Sequence, residues 1–340
     1  MRIWAVAFAA TLAFAAAAFP IAEEQKLPVV FVTDTVGLGD KAANDAAWEG
    51  VKRAANEFSS PIAIIQSKDA GEYVTNLTDA AKRARVVVST GARMTDAVRT
   101  AARANTSTFF VHVVGEIDGL PNVVSYNFRD EEVGFLAGVV AALYTRTGAV
   151  GEVAPSNSAA ACGSGFSAGV TAVSSSMGKR VAPVFPTAPK EEADDGRILA
   201  GRIVSRGCDV VFVAVGGTAA DARNALEDKT SLKVIPETAE RNASPAGQVL
   251  AAVIDRVDVA VFEGIKMAVD VAWEGGYKVL GYRDGAIELS ASAESGGLTE
   301  GDIAIIDRAK DLLGRAEITV PSRQADLDKW SPPDLVKRAE

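Results

Sequence analysis

One carboxylate stands where a strand should end. Asp34 follows the apolar run Val29–Thr33, and Gly37-Leu38-Gly39, Asp40, Lys41 and Asn44 come directly after it. Open parallel sheets take their ligands outside the carboxyl ends of the strands. A carboxylate there can accept two hydroxyl hydrogen bonds from a diol such as that of a ribose. The glycines would let the backbone turn closely around the ligand. The same residues also suit a turn followed by a helix cap, with Asp40 and Lys41 opening the helix and Asn44 one turn in. Thr90-Gly91 and Gly216-Gly217-Thr218 follow two other apolar runs. Each puts backbone N–H groups at a helix N-terminus, able to hold an anion, a carbonyl or a sugar hydroxyl, or forms no more than a tight turn.

Several chemistries are excluded by residue count and spacing. Gly165-Phe166-Ser167-Ala168-Gly169 matches a nucleophile-elbow pattern, but that arrangement needs a histidine after the serine. The chain has one histidine, His112, which precedes the serine and lies inside a strand-like run; it reads as a core or inter-lobe residue. One histidine and two distant cysteines make no zinc site, and Gly37-x-Gly39 lacks the third glycine of a dinucleotide fingerprint. A net charge of −9 with no basic cluster argues against nucleic acid and anionic membrane surfaces. No metal and no cofactor is expected.

The elements that must position these residues alternate strand and helix, which implies parallel sheets covered on both faces. Strands are expected at 29–33, 62–65, 86–89, 109–113 and 123–126, with helices at about 42–58, 72–84 and 96–104 between them. An almost wholly apolar helix over 131–144 carries Gly134 and Gly138, where another backbone can approach, and acids in its first turn that suit the helix dipole. Beyond it the rhythm resumes, with strands at 149–154, 182–185, 210–215 and 233–235 and helices near 165–175, 193–206 and 219–226. A long helix over 247–273, a hairpin of 277–281 with 286–289 around Asp284-Gly285, a helix over 301–313 and a short strand at 318–320 complete the pattern. The polar tail after Pro321 is expected to be loosely held. Trp48, Phe262 and Trp273 fall on helices in apolar company and read as core. Cys162 and Cys208 fall near opposite ends of parallel strands, ~17–20 Å apart, whereas a disulfide needs Cα atoms within ~7 Å, so two separate thiols are expected.

The first residues are expected to lie outside the fold. Arg2 gives a basic start, Ile3–Ala18 an apolar stretch, and Ala16-Ala17-Ala18 or Ala22 a cleavage site; retention as an anchor is the alternative. No cysteine lies near that site, so a lipid-modified N-terminus is not expected for this start codon. An exported, soluble protein follows, periplasmic where the cell has two membranes.

The order of short blocks along the chain resembles the basic membrane protein family of ABC-transporter substrate-binding proteins, which includes purine nucleoside receptors. The blocks are Val32–Lys52 (VTDTVGLGDKAANDAAWEGVK), Thr90–Val98 (TGARMTDAV), Asn122–Ala154, Gly216–Thr218 and Arg256–Lys266 (RVDVAVFEGIK). The resemblance implies a type I periplasmic-binding-protein-like α/β fold of two Rossmann-like lobes joined by a multi-strand hinge. It places a signal peptide at 1–22, lobe one at 27–127 plus about 251–282, lobe two at 128–250 plus about 283–325, and a polar tail at 326–340. Ligand contact by Asp34 is part of the same implication.

The scaffold blocks match better than the ligand contacts. Ala43 and Ala92 stand where the family carries aromatic residues. Val114, with Glu116 nearby, stands where a strand usually delivers an acid. Thr238, with Glu240 close by, replaces a late Asp, and Asp255 replaces a Lys. The lost aromatics leave a wider slot, for which Phe166, Phe110 or Tyr126 would supply a stacking face. The expected ligand is a nucleoside-like heteroaromatic molecule with hydroxyls, a purine nucleoside or riboflavin. It would be held by Asp34, Asp40, Asn44, Thr90, Gly91, Glu116, Phe166, Gly216, Gly217, Thr218 and Thr238. The protein would act as a monomer, with an ABC permease as partner and no catalysis. A sensor ectodomain for the same ligands, or a nucleoside-hydrolysing enzyme using Asp34 and Asp40, are the alternatives.

Overall fold

The computed structural model describes residues 27–154, 159–186, 195–214, 219–229, 231–238, 247–291 and 297–336. The signal-peptide expectation for residues 1–22 falls outside them. Among the described residues no helix is long and apolar enough to cross a membrane.

Two parallel sheets organise the chain. In the first, β1 (Val29–Thr33), β2 (Ile62–Gln66), β3 (Val86–Thr90), β4 (Phe109–Val113) and β5 (Val123–Phe128) are joined by β11 (Gly276–Leu280) in the order β11-β5-β4-β3-β1-β2. Every residue of β1 and β3 is buried. This is why they read as unbroken apolar runs, since interior strands of parallel sheets are covered on both faces. Helices α1 (Ala43–Phe58), α2 (Tyr73–Ala81), α3 (Thr95–Ala104) and α8 (Val257–Val269) make the crossovers and cover the faces.

The second sheet has the order β7-β6-β8-β9, from β6 (Ala149–Val153), β7 (Ala182–Val184), β8 (Val210–Val213) and β9 (Lys233–Pro236). Single parallel bridges, Val234 with Val249 and Glu237 with Val253, extend it to β10 (Ala251–Asp255). Antiparallel β12 (Ile287–Ala291) pairs with β10. Around it lie α4 (Asp130–Tyr144), α5 (Ala159–Met177), α6 (Gly196–Ser205), α7 (Ala219–Leu226) and α9 (Glu300–Gly314).

The chain passes between the sheets three times, at Arg129, at Arg256 and over Gly281–Ala286, and the crossings are stitched together. Arg129 N–H donates to the Leu280 carbonyl (2.9 Å), Arg256 N–H to the Ala286 carbonyl (2.8 Å) and Tyr282 N–H to the Glu132 carboxylate (2.7 Å). This is the multi-strand hinge of an α/β protein with two Rossmann-like lobes.

Four expectations are corrected. The long helix over 247–273 is a strand and then a helix, β10 and α8, broken at Arg256 with its non-helical backbone (φ −83°, ψ 68°). An apolar run with no polar face suits a helix or a strand equally, and pairing with β12 decides for strand. The Asp-Gly turn does form, with Gly285 left-handed (φ 69°). Its flanking strands join different sheets rather than each other, because β5 and β10 offer open edges. Residues 318–320 form no strand. The tail is held instead: the Trp330 indole donates to the Thr319 carbonyl (2.9 Å), Leu335 is buried and its N–H donates to Ser176 Oγ (2.9 Å) on α5. Trp330 also meets Phe135 edge-on at 6.3 Å.

Helices α4 and α5 cross at backbone distance. A Cβ placed on Gly134 would lie 2.0 Å from the Cys162 carbonyl oxygen, and one on Gly138 2.2 Å from that of Phe166. From the other helix, a Cβ on Gly165 would lie 1.9 Å from the Glu131 carbonyl oxygen and one on Gly169 2.2 Å from that of Phe135. Two Gly-x-x-x-Gly pairs thus mesh, and the nucleophile-like Gly-x-Ser-x-Gly run is half of this contact. Its Ser167 is buried inside a helix. Cys162 and Cys208 are separate buried thiols.

Candidate functional site

The loop between β1 and α1 assigns its two acids different tasks. Asp40 caps the helix: its carboxylate accepts the N–H groups of Ala42 (2.9 Å), Asn44 (2.9 Å) and Asp45 (3.1 Å), and Asn44 Nδ2 (2.9 Å). Such use of a carboxylate is what unpaired helix N–H groups require, and it gives Asp40 a structural task in the loop where a ligand contact is expected of it. Asn44, 2% exposed, divides its amide between Asp40 and Asp34 Oδ1 (2.8 Å). It brackets the two acids. Asp34 Oδ1 also accepts the Val36 N–H (2.9 Å). One oxygen of Asp34 is thereby fixed and Oδ2 is left over.

Beside that oxygen the end of β3 is open. A Cβ on Gly91 (φ 103°) would stand 3.5 Å from Asp34 Oδ2, so the absent side chain leaves room next to the carboxylate. Thr90 Oγ1, at the end of β3, is buried without a hydrogen-bond partner. The expected free amide at Gly91 is corrected, because its N–H donates to the Val113 carbonyl (2.9 Å). Gly216, Gly217 and Thr218 lie outside the described residues.

A cavity of about 90 Å³ lies between the lobes. The first lobe contributes Lys41, Ala43, Ala46 and Val114 to its wall, and the second contributes Glu237, Thr238 and Asp255. Lys41 (φ 54°) and Val114 (φ 63°) both hold left-handed backbone, a strain that concentrates at functional positions. Thr238 Oγ1 reaches the Lys41 carbonyl at 3.5 Å and touches the two lobes together. Of the expected residues, Thr238 reaches this cavity. Glu116 is exposed and outside its wall, with its carbonyl bonded to Arg99. Phe166 has no exposed surface and packs on Phe212 (6.1 Å, stacked) and Phe185 (6.4 Å, edge-on). It belongs to the second lobe's core, drawn inward because its helix is pressed onto α4.

The structure also gathers acids at the carboxyl ends of the second lobe's strands. Burial lifts Glu152 to about 8 and Asp130 to about 6, with Glu131 next adding to the latter. Asp255 is raised well above the carboxylate range by burial, then by Glu237 and Asp130. Burial also raises the Cys162 thiol, which hydrogen-bonds Glu152. Of the four acids, Asp255 stood out in the sequence as a departure from the family pattern and Asp130 as a first-turn acid of its helix. A glutamate inside the strand run AVGEV was the signal for a third. His112, by contrast, is driven down to about 4 by burial, with Ser89 Oγ 2.9 Å from Nδ1 and Thr95 Oγ1 3.2 Å from Nε2.

These shifts set a pH dependence. A carboxyl whose folded pKa is raised binds more protons when folded, so stability falls as pH rises from its ordinary value to the raised one. For Glu152 that window is from 4.5 to about 8. His112 acts oppositely between about 4 and 6.5, but one imidazole is set against three acids. Thermal melts are expected to show a less stable protein at about pH 8 than at about pH 5.5, with Glu152→Gln flattening the slope; a slope unchanged by that variant contradicts the assignment.

Comparison with known proteins agrees with this architecture. Residues 27–322 match the family described as ABC transporter substrate-binding protein PnrA-like. A CD4+ T-cell-stimulating antigen of Listeria monocytogenes is 30% identical over 319 residues, covering 87% of this chain and 88% of its own. The ABC transporter nucleoside-binding protein BmpA of Lactococcus lactis is 31% identical over 200 residues, 56% of each chain. A solved ABC transporter solute-binding protein from Aeropyrum pernix, 22% identical, shares the fold with a TM-score of 0.66 over 89% of this chain and 96% of that one. With two parallel-sheet lobes, a triple crossing and a match over nearly the whole described chain, the protein belongs to the PnrA-like family of ABC-transporter substrate-binding proteins.

Proposed function

We propose that the protein is the exported, monomeric capture component of an importer, closing on a nucleoside-like heteroaromatic solute and presenting it to a membrane permease. The observation that carries the ligand class is Asp34 itself, whose Oδ1 is held by Asn44 and the Val36 N–H while its Oδ2 borders the space left by Gly91. A held carboxylate with one oxygen to spare fits a solute that presents hydroxyls. Ala43, Ala46 and Val114 give the cavity an apolar stretch of wall that suits a ring. The nucleoside-binding relative from Lactococcus lactis supports the same class. A purine nucleoside is the first reading. Riboflavin is the second, favoured by Ala43, whose small side chain lines the cavity and widens it.

Small-molecule sites run from ~300 Å³ upward, so a cavity of about 90 Å³ must open before it is filled. Binding then biases the open-to-closed equilibrium through contacts present only when closed. The reading is tested by releasing whatever the purified protein carries and recording its mass and visible absorption. A purine nucleoside or a flavin supports it. Recovery of only inorganic ions or short sugars, together with no calorimetric binding of inosine, adenosine or riboflavin, refutes it.

A further inference from the structure

The loop that presents Asp34 has its shape imposed from behind. Between β1 and α1 the backbone N–H groups turn to side chains. Thr35 N–H donates to Tyr73 Oη (3.1 Å), Val36 N–H to Asp34 Oδ1 (2.9 Å) and Leu38 N–H to Gln66 Oε1 (3.1 Å), while those of Gly39 and Lys41 go to the Asp45 carboxylate (2.7 and 2.9 Å). Backbone donors must be satisfied somewhere, so the path of the loop is set by where these side chains stand. Two bonds hold the peptide between Asp34 and Thr35 at both ends: its carbonyl oxygen accepts the Thr33 hydroxyl (2.9 Å) and its N–H goes to Tyr73. That peptide is planar, so the two bonds fix ψ of Asp34 and with it the angle at which the carboxylate meets the Val36 N–H. Both lead back to the first turn of α2. Tyr73 opens that helix, and Asn76, one turn on, donates to Ser67 Oγ (3.1 Å); Ser67 N–H in turn donates to Thr33 Oγ1 (3.4 Å). Packing does not call for the Tyr73 hydroxyl. The residue is 2% exposed and its ring lies in the apolar cluster with Val30, Val32, Leu77 and Phe110, a space that phenylalanine would fill. A buried tyrosine hydroxyl normally finds a partner, and this one is directed at the Asp34–Thr35 peptide and, at 3.4 Å, at Thr35 Oγ1.

We infer that Tyr73 is a positioning residue for the captured solute: its hydroxyl aims the Asp34 carboxylate and thereby sets how tightly the cleft holds a ligand's hydroxyl groups, from a place the ligand does not reach. This rests on the reading of Asp34 as the acceptor of those hydroxyls. Asn44 Nδ2 holds Asp34 Oδ1 independently (2.8 Å), so losing the tyrosine hydroxyl turns the carboxylate without releasing it, and the effect is smaller than that of removing Asp34. Selectivity follows from the same geometry. A carboxylate turned off its line weakens binding only of ligands that carry the hydroxyls it accepts.

The test is calorimetry on the wild type, Tyr73→Phe, Asp34→Ala and the double variant, each with its melting temperature. Two matched pairs of probes are used: inosine with 2′,3′-dideoxyinosine, and riboflavin with lumiflavin, which lacks the hydroxylated chain. Tyr277→Phe is the control, since it removes another phenol hydrogen bond of the same lobe, to Asn127 Nδ2 (3.1 Å). We expect Tyr73→Phe to weaken whichever hydroxylated probe the wild type binds by about tenfold and its partner lacking those hydroxyls by less than about threefold. It should add nothing on top of Asp34→Ala, and Tyr277→Phe should change neither affinity. An equal loss for both members of a pair, a loss that adds to that of Asp34→Ala, or an affinity that Asp34→Ala weakens and Tyr73→Phe leaves unchanged overturns the inference. Asp34→Ala binding as the wild type does overturns it too, and the reading of Asp34 with it. If no probe binds, the nucleoside and flavin reading fails by itself, and amide exchange in the unliganded protein decides the inference. Tyr73→Phe speeds exchange at both Thr35 and Val36 where the hydroxyl aims Asp34; faster exchange at Thr35 alone, or at neither, overturns it.

Discussion

Gly165→Ala lowers the stability of the protein by about 3 kcal/mol, the upper range for forcing an added methyl into a packed interior. A shift of roughly 4–5 °C in melting temperature follows from an unfolding entropy of ~2.1 cal/mol/K per residue over a chain of this size. The added Cβ meets the Glu131 carbonyl oxygen at 1.9 Å and the Glu131 backbone beyond it, and a backbone in the first turn of α4 cannot step aside as a side chain can. The built-in comparison is Gly201→Ala. Gly201 lies in α6, where nothing stands within 4 Å of the added carbon, so the same substitution raises stability by about 0.5–1 kcal/mol through helix propensity. Opposite signs at two helical glycines identify close packing as the cause. If both variants shift the melting temperature the same way, the α4–α5 crossing is not as tight as described.

Asp34→Ala is the second large effect. If Asp34 Oδ2 accepts ligand hydroxyls, two hydrogen bonds to a charged group are lost, at about 1.5–3 kcal/mol each. Affinity for a hydroxyl-bearing ligand then drops on the order of 10²–10³-fold or more. The loop should survive, because Asn44 keeps its bond to Asp40 and Asp40 keeps the helix cap. Calorimetric titration of the ligand that the wild-type protein releases, alongside the melting temperature of the unliganded variant, measures both. An affinity within about threefold of wild type at unchanged stability would remove Asp34 from the site. Asp40→Ala separates the two roles: a helix-cap loss of about 1 kcal/mol, with weaker binding only through a displaced loop.

The first lobe was legible because its inner strands are covered on both faces and announce themselves as apolar runs; β4 falls at Phe109–Val113 as its sequence predicts. The region 247–291 was not, because the pairing of β10 with β12 and of β11 with β5 depends on which sheet edges are free, and no local pattern records that. The Asp-Gly turn was read correctly and its partners were not, for the same reason. Asp34 and Asp40 look alike in sequence, and only the hydrogen bonds distinguish a cap from a carboxylate with an oxygen to spare. Phe166 was placed in the cleft by its chemistry. Its true position follows from glycines on a different helix, Gly134 and Gly138, whose role in close approach was visible but whose partner was not. The acid cluster comes from four strand and helix ends more than 100 residues apart at the extremes, Asp130 to Asp255. Proximity of that kind appears only after folding.

The docked tail gives the molecule a built-in gauge. The described chain starts at Leu27 beside β1 in the first lobe, and near its other end Leu335 is seated on α5 in the second, so the proposed opening and closing about the three crossings would carry the two ends apart and together. A donor dye near residue 27 and an acceptor near residue 336 would therefore report opening and closing by energy transfer. Neither label would enter the cleft.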